Sequence, residues 1–219
     1  MTPSAVLFDL DGTLVDTVPF ILACVRHAFQ GHPKAPTEAQ WMASVGTPLH
    51  LQLAEFARGP DEVQELLARY RQFWNEHHDR LTRCFPGALE TVSALSAAGH
   101  RLAVVTAKTE HGAVRSLRHT GLLPFMGAVI CADSCARSKP HPEPVLLALE
   151  RLSARADRAA MLGDSVHDVA AACAAGVRAL GAAWGAATPA ALLAAGAVRS
   201  LRDIRELPAA LAELEAAAA

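Results

Sequence analysis

The chain has 219 residues, 52% apolar and 19% charged, with 20 Lys and Arg against 22 Asp and Glu, a formal charge of −2. That composition excludes disorder over most of the length and argues against a nucleic-acid coat or a polybasic membrane binder. No apolar run reaches the roughly 18 residues of a membrane span, and the opening MTPSAVLFDLDG lacks the basic start of a signal peptide.

Ala5–Leu10 reads as a short apolar strand interrupted by Asp9, with Asp11, Gly12 and Thr13 after it. Such a run suits a central parallel strand covered on both faces. Four helices are expected next, over Pro19–His32, Glu38–Val45, Leu49–Phe56 and Asp61–Asp79. Breaks fall at Gly31 to Pro36, Gly46 to Pro48 and Gly59 to Pro60. From Cys84 the pattern alternates as in α/β proteins. Strands are expected at Arg101–Thr106, Ala128–Ala132, Ala159–Gly163 and Val177–Ala182, with an edge strand at Ala197–Leu201. Helices fill the gaps at about 87–98, 110–119, Pro142–Leu152, Asp168–Ala175 and Pro189–Ala195, and a last one starts at Pro208 and frays into Ala216–Ala219. The expected fold is α/β: a three-layer Rossmann-like core with a parallel sheet, plus an inserted all-helical cap. The core is discontinuous, residues 1–14 and 84–219, and the cap is 15–83. Insertions are tolerated at exposed loops.

Five cysteines form an odd set in a chain of this size, which argues for free thiols in a reducing cytoplasm. Cys131 and Cys135 lack CxxC spacing, and His77 and His78 lack a third partner, so neither pair reads as a metal site. Trp41, Phe73 and Trp74 are expected to pack the cap helices.

Polar stations follow successive strands: Asp9 and Asp11, then Thr106, Lys139, and Asp164 with Asp168. Parallel strands bring their C-terminal ends to one edge, where open α/β sheets bind ligands. If extended geometry persists, the period of two puts Asp9 and Asp11 on one side. Singly, each station has a plainer reading: a turn, a helix cap, a loop charge. Together they describe carboxylates that repel unless a cation joins them. Mg²⁺ prefers such oxygen ligands. Lys139, the hydroxyls of Thr13 and Thr106, and backbone N–H groups near Gly12 would then hold a phosphate. The set suggests phosphoryl transfer.

The run Asp9-Leu10-Asp11-Gly12-Thr13-Leu14-Val15-Asp16 resembles the first motif of the haloacid dehalogenase-like hydrolases. Thr106, Lys139-Pro140 and Gly163-Asp164-Ser165-Val166-His167-Asp168 resemble the second, third and fourth motifs, and the helical insert resembles that family's small cap. The resemblance implies Asp9 as nucleophile, forming an aspartyl-phosphate, and Asp11 as general acid and then base. It implies Mg²⁺ held by Asp9, the main-chain carbonyl of Asp11, and Asp164, with Asp168 supporting. Thr106 and the N–H of Ala107 would bind phosphate, and Lys139 would neutralise the nucleophile. The second acid, Asp11, favours phosphatase over dehalogenase chemistry.

Phe85-Pro86-Gly87, Val45-Gly46-Thr47-Pro48-Leu49 and Val104-Val105-Thr106 resemble phosphoglycolate phosphatases. Lys139-Pro140-His141-Pro142-Glu143-Pro144-Val145, His167 and Ala183-Trp184-Gly185 resemble bacterial pyrophosphatases of the same superfamily. In the cap, His50 and the hinge residue Arg83 are candidate substrate contacts. The leading expectation is a Mg²⁺-dependent phosphatase acting on a small, phosphoglycolate-like monoester. Inorganic pyrophosphatase, phosphosugar mutase and a non-catalytic phosphometabolite-binding or regulatory protein are the alternatives. The partner is a small phosphorylated metabolite or pyrophosphate, not nucleic acid or membrane, and the chain is a monomer or homodimer.

Overall fold

A computed structural model describes residues 5–216. Of the stretch expected to fray, Ala216 is described and residues 217–219 lie outside the described residues. Six strands, β1 (Ala5–Phe8), β2 (Arg101–Val105), β3 (Ala128–Ile130), β4 (Ala159–Gly163), β5 (Arg178–Ala182) and β6 (Arg199–Leu201), form one sheet in the order β3-β2-β1-β4-β5-β6. Every pairing is parallel. β1 is central because its four residues are apolar and fully covered. Val6 and Phe8 face α5 (Ala88–Ala97), α6 (Glu110–His119) and α10 (Leu207–Ala216). Ala5 and Leu7 face α7 (Glu143–Arg151), α8 (Val166–Ala174) and α9 (Pro189–Ala194). That alternation is the period of two working on two buried faces. The small residues of α8, Ala171 and Ala172, lie fully buried against the sheet.

The other four helices, α1 (Val18–Ala28), α2 (Glu38–Ala43), α3 (Leu49–Ala54) and α4 (Pro60–Leu81), enclose a separate apolar cluster. α4 is long because Leu66, Leu67, Tyr70, Trp74 and His78 recur at helical spacing along its buried face. Pro60 opens it, Asp61 and Glu62 sit in its first turn, and His78 and Arg80 in its last, each favourable at that end. Trp41 and Trp74 do pack the cap core, and Phe73 lies partly buried against it. The two strands of chain joining cap to core run side by side: the N–H of Asp16 donates to the Arg83 carbonyl at 2.8 Å, and that of Phe85 to Leu14 at 3.1 Å. No helix among the described residues is long and apolar enough to cross a membrane, and all five cysteines are free.

A polar joint ties α4 to α6. The buried His78 ring shares its Nδ1 proton with Asp79 Oδ1 at 2.6 Å, and its Nε2 accepts from the Ser116 hydroxyl at 2.9 Å. Arg115 reaches Asp79 at 3.1 Å and lies over the Trp74 ring. Burial pushes the His78 pKa below the usual histidine range, opposed by Asp79 and aided by the charges of Arg115 and Lys108. A depressed folded pKa makes this contribution present above the ordinary histidine pKa and lost as pH falls through the folded value. The change in urea midpoint on acidification from pH 7.5 to 5.5 should therefore be less favourable in the parent than in His78→Gln. Ser116→Ala should cost about 1–2 kcal/mol by stranding the ring nitrogen; an unchanged midpoint in that variant would show the joint to be idle.

Candidate active site

β1 ends at Phe8, so the extended run is shorter than the sequence suggests. Asp9 stands just past it, its N–H donating to the Leu162 carbonyl of β4 at 2.9 Å. The chain then turns: Gly12 takes φ of +78°, and the N–H groups of Leu14 and Val15 return to the Leu10 carbonyl at 3.0 Å. The turn removes the period-of-two argument for Asp9 and Asp11, and their carboxylates meet different partners. Asp9 faces Lys139. Asp11 accepts from Lys108 at 2.7 Å and from the Thr17 hydroxyl.

Three carboxylates converge. One oxygen from each of Asp9, Asp164 and Asp168 lies within 4.8 Å of the others, and all three residues are buried. Asp164 follows β4 directly; it accepts from the Thr13 hydroxyl at 3.0 Å and from the Ala186 N–H at 2.7 Å. Gly12 is required beside it, since a Cβ there would stand 2.2 Å from Asp164 Oδ2. Asp168 belongs to the capping box of α8: its carboxylate accepts from the Ser165 N–H at 3.0 Å, and its own N–H donates to Ser165 Oγ at 3.2 Å. The Lys139 ammonium, 3% exposed, donates to Asp9 at 2.6 Å, Asp168 at 2.5 Å and the Val105 carbonyl at 2.9 Å.

Charge in this cluster is unbalanced. Fully ionised, three carboxylates against one lysine would leave two negative charges without a partner. Burial raises the Asp9 carboxyl well above the usual range; Lys139 opposes this, and Asp168 and Asp164 reinforce it. Burial and then Asp168 push Asp164 up to about 7 against the pull of the Ala186 N–H and Thr13. Lys139 stays charged, because Asp168 and Asp9 together outweigh the burial that disfavours its ammonium. A hard divalent cation matches this donor set and this deficit.

A cavity of about 240 Å³ opens over Asp9. Asp9, Asp11, Thr106, Ala107, Lys108 and Asp164 form its floor, and the cap forms the far wall. Thr106 stands one residue past β2, its Oγ1 accepting from the Lys108 N–H at 3.2 Å. His50 lies at the cavity wall. Arg83 does not: its guanidinium turns to the carbonyls of Asp79 at 3.2 Å and Thr82 at 2.8 Å and is exposed beside the hinge. Gly12 and Thr13 act from behind the floor through Asp164. Sequence reasoning missed Lys108, Tyr70, Arg71 and Asn75, all of which line the cavity. The i, i+3, i+4, i+7, i+8 spacing from Leu67 to Asn75 was the available signal for the α4 members.

Comparisons with known proteins agree with this geometry. The sequence pattern of the haloacid dehalogenase-like hydrolases matches residues 6–182. A pyrophosphatase PpaX of Bacillus pumilus is 35% identical over 84% of this chain and 84% of its own. Another from Anoxybacillus flavithermus is 36% identical over 84% of this chain and 85% of its own. The crystal structure of a predicted phosphoglycolate phosphatase from Haemophilus somnus superposes with a TM-score of 0.86 at 23% identity, covering 95% of this chain and 98% of that one, a likeness of fold.

Proposed function

The chain belongs to the haloacid dehalogenase-like hydrolase family and is a phosphatase-type hydrolase, and from that premise we propose that it cleaves a small organic phosphate monoester through an aspartyl-phosphate on Asp9. The observation that carries this reading is the buried Asp9–Lys139–Asp168 arrangement beside Asp164, with a second carboxylate, Asp11, across the cavity floor. An Asp9 oxygen attacks phosphorus, the bond from phosphorus to the leaving oxygen breaks, and Asp11 gives that oxygen its proton. Asp11 then takes a proton from water as the water attacks phosphorus, releasing inorganic phosphate and restoring Asp9. Thr106 and the Ala107 N–H hold phosphoryl oxygens. Lys139 favours the ionised form of Asp9 and offsets charge at the phosphoryl group.

Asp9, Asp164 and Asp168 are the side chains that would hold Mg²⁺, with the Asp11 carbonyl. When bound, the ion supplies charge neutralisation for a phosphate that would otherwise enter a negative site. A second reading, inorganic pyrophosphatase, is favoured by the names of the relatives at 35–36% identity.

The test is a panel of phosphoglycolate, pyrophosphate, hexose phosphates and nucleoside monophosphates, assayed with Mg²⁺ and with chelator. Hydrolysis of at least one monoester is expected, falling by about 10²-fold or more on chelation. Turnover of pyrophosphate alone would replace the first reading by the second. Rates indifferent to chelator would remove the metal from the proposal.

A further inference from the structure

The cap wall of the cavity is poorly matched to both small substrates. One stripe of α4, Leu67, Tyr70, Arg71, Trp74 and Asn75, lines it over two helical turns. At about 1.5 Å per residue that wall is about 12 Å long. It is longer than a second phosphoryl group or a glycolate. Val45 and Pro48 of the α2–α3 loop and Leu49 at the start of α3 line the same cavity, so the cap's share of its lining is mainly apolar and aromatic. The phosphate leaving group of pyrophosphate placed there would exchange water for indole, phenol and aliphatic surface, an unfavourable transfer for a multiply charged group.

The distribution of cations points the same way. Lys139 is buried among carboxylates, and Lys108 is paired with Asp11. Arg71 is the exposed guanidinium on the α4 stripe, and no hydrogen bond or ion pair engages it among the described residues. His111, at the start of α6, stands beside Trp74 with ring centroids 6.3 Å apart. The cavity thus combines a phosphoryl site, a mainly apolar and aromatic cap wall, and an exposed guanidinium that nothing engages among the described residues.

We propose that the substrate is a phosphate monoester whose leaving group has an apolar or aromatic body ending in an anion, with the body packed on Tyr70 and Trp74 and the anion read by Arg71. This rests on the phosphatase reading above and specifies its leaving group. Arg71 is a specificity residue and takes no part in the bond changes at phosphorus.

The probes are phenyl phosphate, 4-carboxyphenyl phosphate, phosphoglycolate and pyrophosphate, with the full chain and Mg²⁺. The expected order of kcat/KM places 4-carboxyphenyl phosphate first, phenyl phosphate next, and pyrophosphate last. Arg71→Gln should raise KM for the carboxylated ester about 10- to 100-fold, leave kcat within about threefold, and leave phenyl phosphate unaffected. Arg71→Lys should recover part of the loss. A tenfold preference for pyrophosphate or phosphoglycolate over both aryl esters would overturn the inference while leaving the phosphatase reading intact. So would an equal response of the two aryl esters to Arg71→Gln. Hydrolysis of none of the four would remove the phosphatase reading, and this inference with it.

Discussion

Asp9→Asn should lower kcat by about 10⁴- to 10⁶-fold, the range seen when a nucleophile that forms a covalent intermediate is removed, with the fold retained. Asparagine keeps the shape of the side chain and withdraws one negative charge from a cluster in which three carboxylates share one lysine. Lys139 keeps its contact with Asp168 at 2.5 Å and with the Val105 carbonyl at 2.9 Å. Burial already works against an ionised Asp9, with Asp168 and Asp164 adding to it. The metal-free variant should therefore unfold within a few degrees of its parent, or above it. Two measurements separate a nucleophile from a binding group. Turnover is followed under saturating substrate, and acid-quenched protein is examined for covalent phosphate. The parent should carry a phosphoryl label on Asp9 and the variant none. Retention of even a tenth of the parent rate, or an unchanged label, would show that another group attacks phosphorus.

The reason the catalytic floor was legible in the sequence is that its members are set by local rules. Asp9, Thr106 and Asp164 each follow a short apolar strand by one residue, and parallel order carries strand ends to one edge. Asp168 is placed by the capping box it forms with Ser165. Lys139 lies nine residues beyond β3, so spacing alone could not aim it; the motif resemblance did. The orientation of Asp11 was not legible, because it depends on where β1 stops and on Lys108, 97 residues away. Arg83 failed as a substrate contact for a similar reason: a long side chain follows the nearest carbonyls, and those belong to Asp79 and Thr82. Trp74 was read as cap packing, and it is. It also lines the cavity, where His111 of α6 stands beside it. Substrate-facing residues of a lid are decided by docking between elements, which periodicity within one element cannot report.

Lys139→Met should have the largest effect on stability and should also abolish turnover. Methionine has similar length and suits burial, so little packing is lost. What is lost is the ammonium that donates to Asp9 at 2.6 Å and Asp168 at 2.5 Å, in a site where both carboxylates are buried. Removing one partner from a buried ionic cluster costs about 3–5 kcal/mol, because the remaining charges stay desolvated and uncompensated. For a chain of this size that corresponds to a fall in Tm of about 10 °C. The pH dependence identifies the cause. Carboxyls whose folded pKa values lie above their unfolded values bind more protons in the folded state, so stability falls as pH rises between the two. Asp9 is raised and Asp164 stands at about 7 with Lys139 present, so the window runs from the ordinary carboxylate value near 4 to about 7 and widens without the lysine. The variant should therefore lie closer to its parent at pH 5 than at pH 8. Mg²⁺ binds the ionised carboxylates and should restore part of the loss at pH 8, by mass action on the folded state. A deficit equal at the two pH values and indifferent to Mg²⁺ would point to packing and would remove the electrostatic account of Lys139.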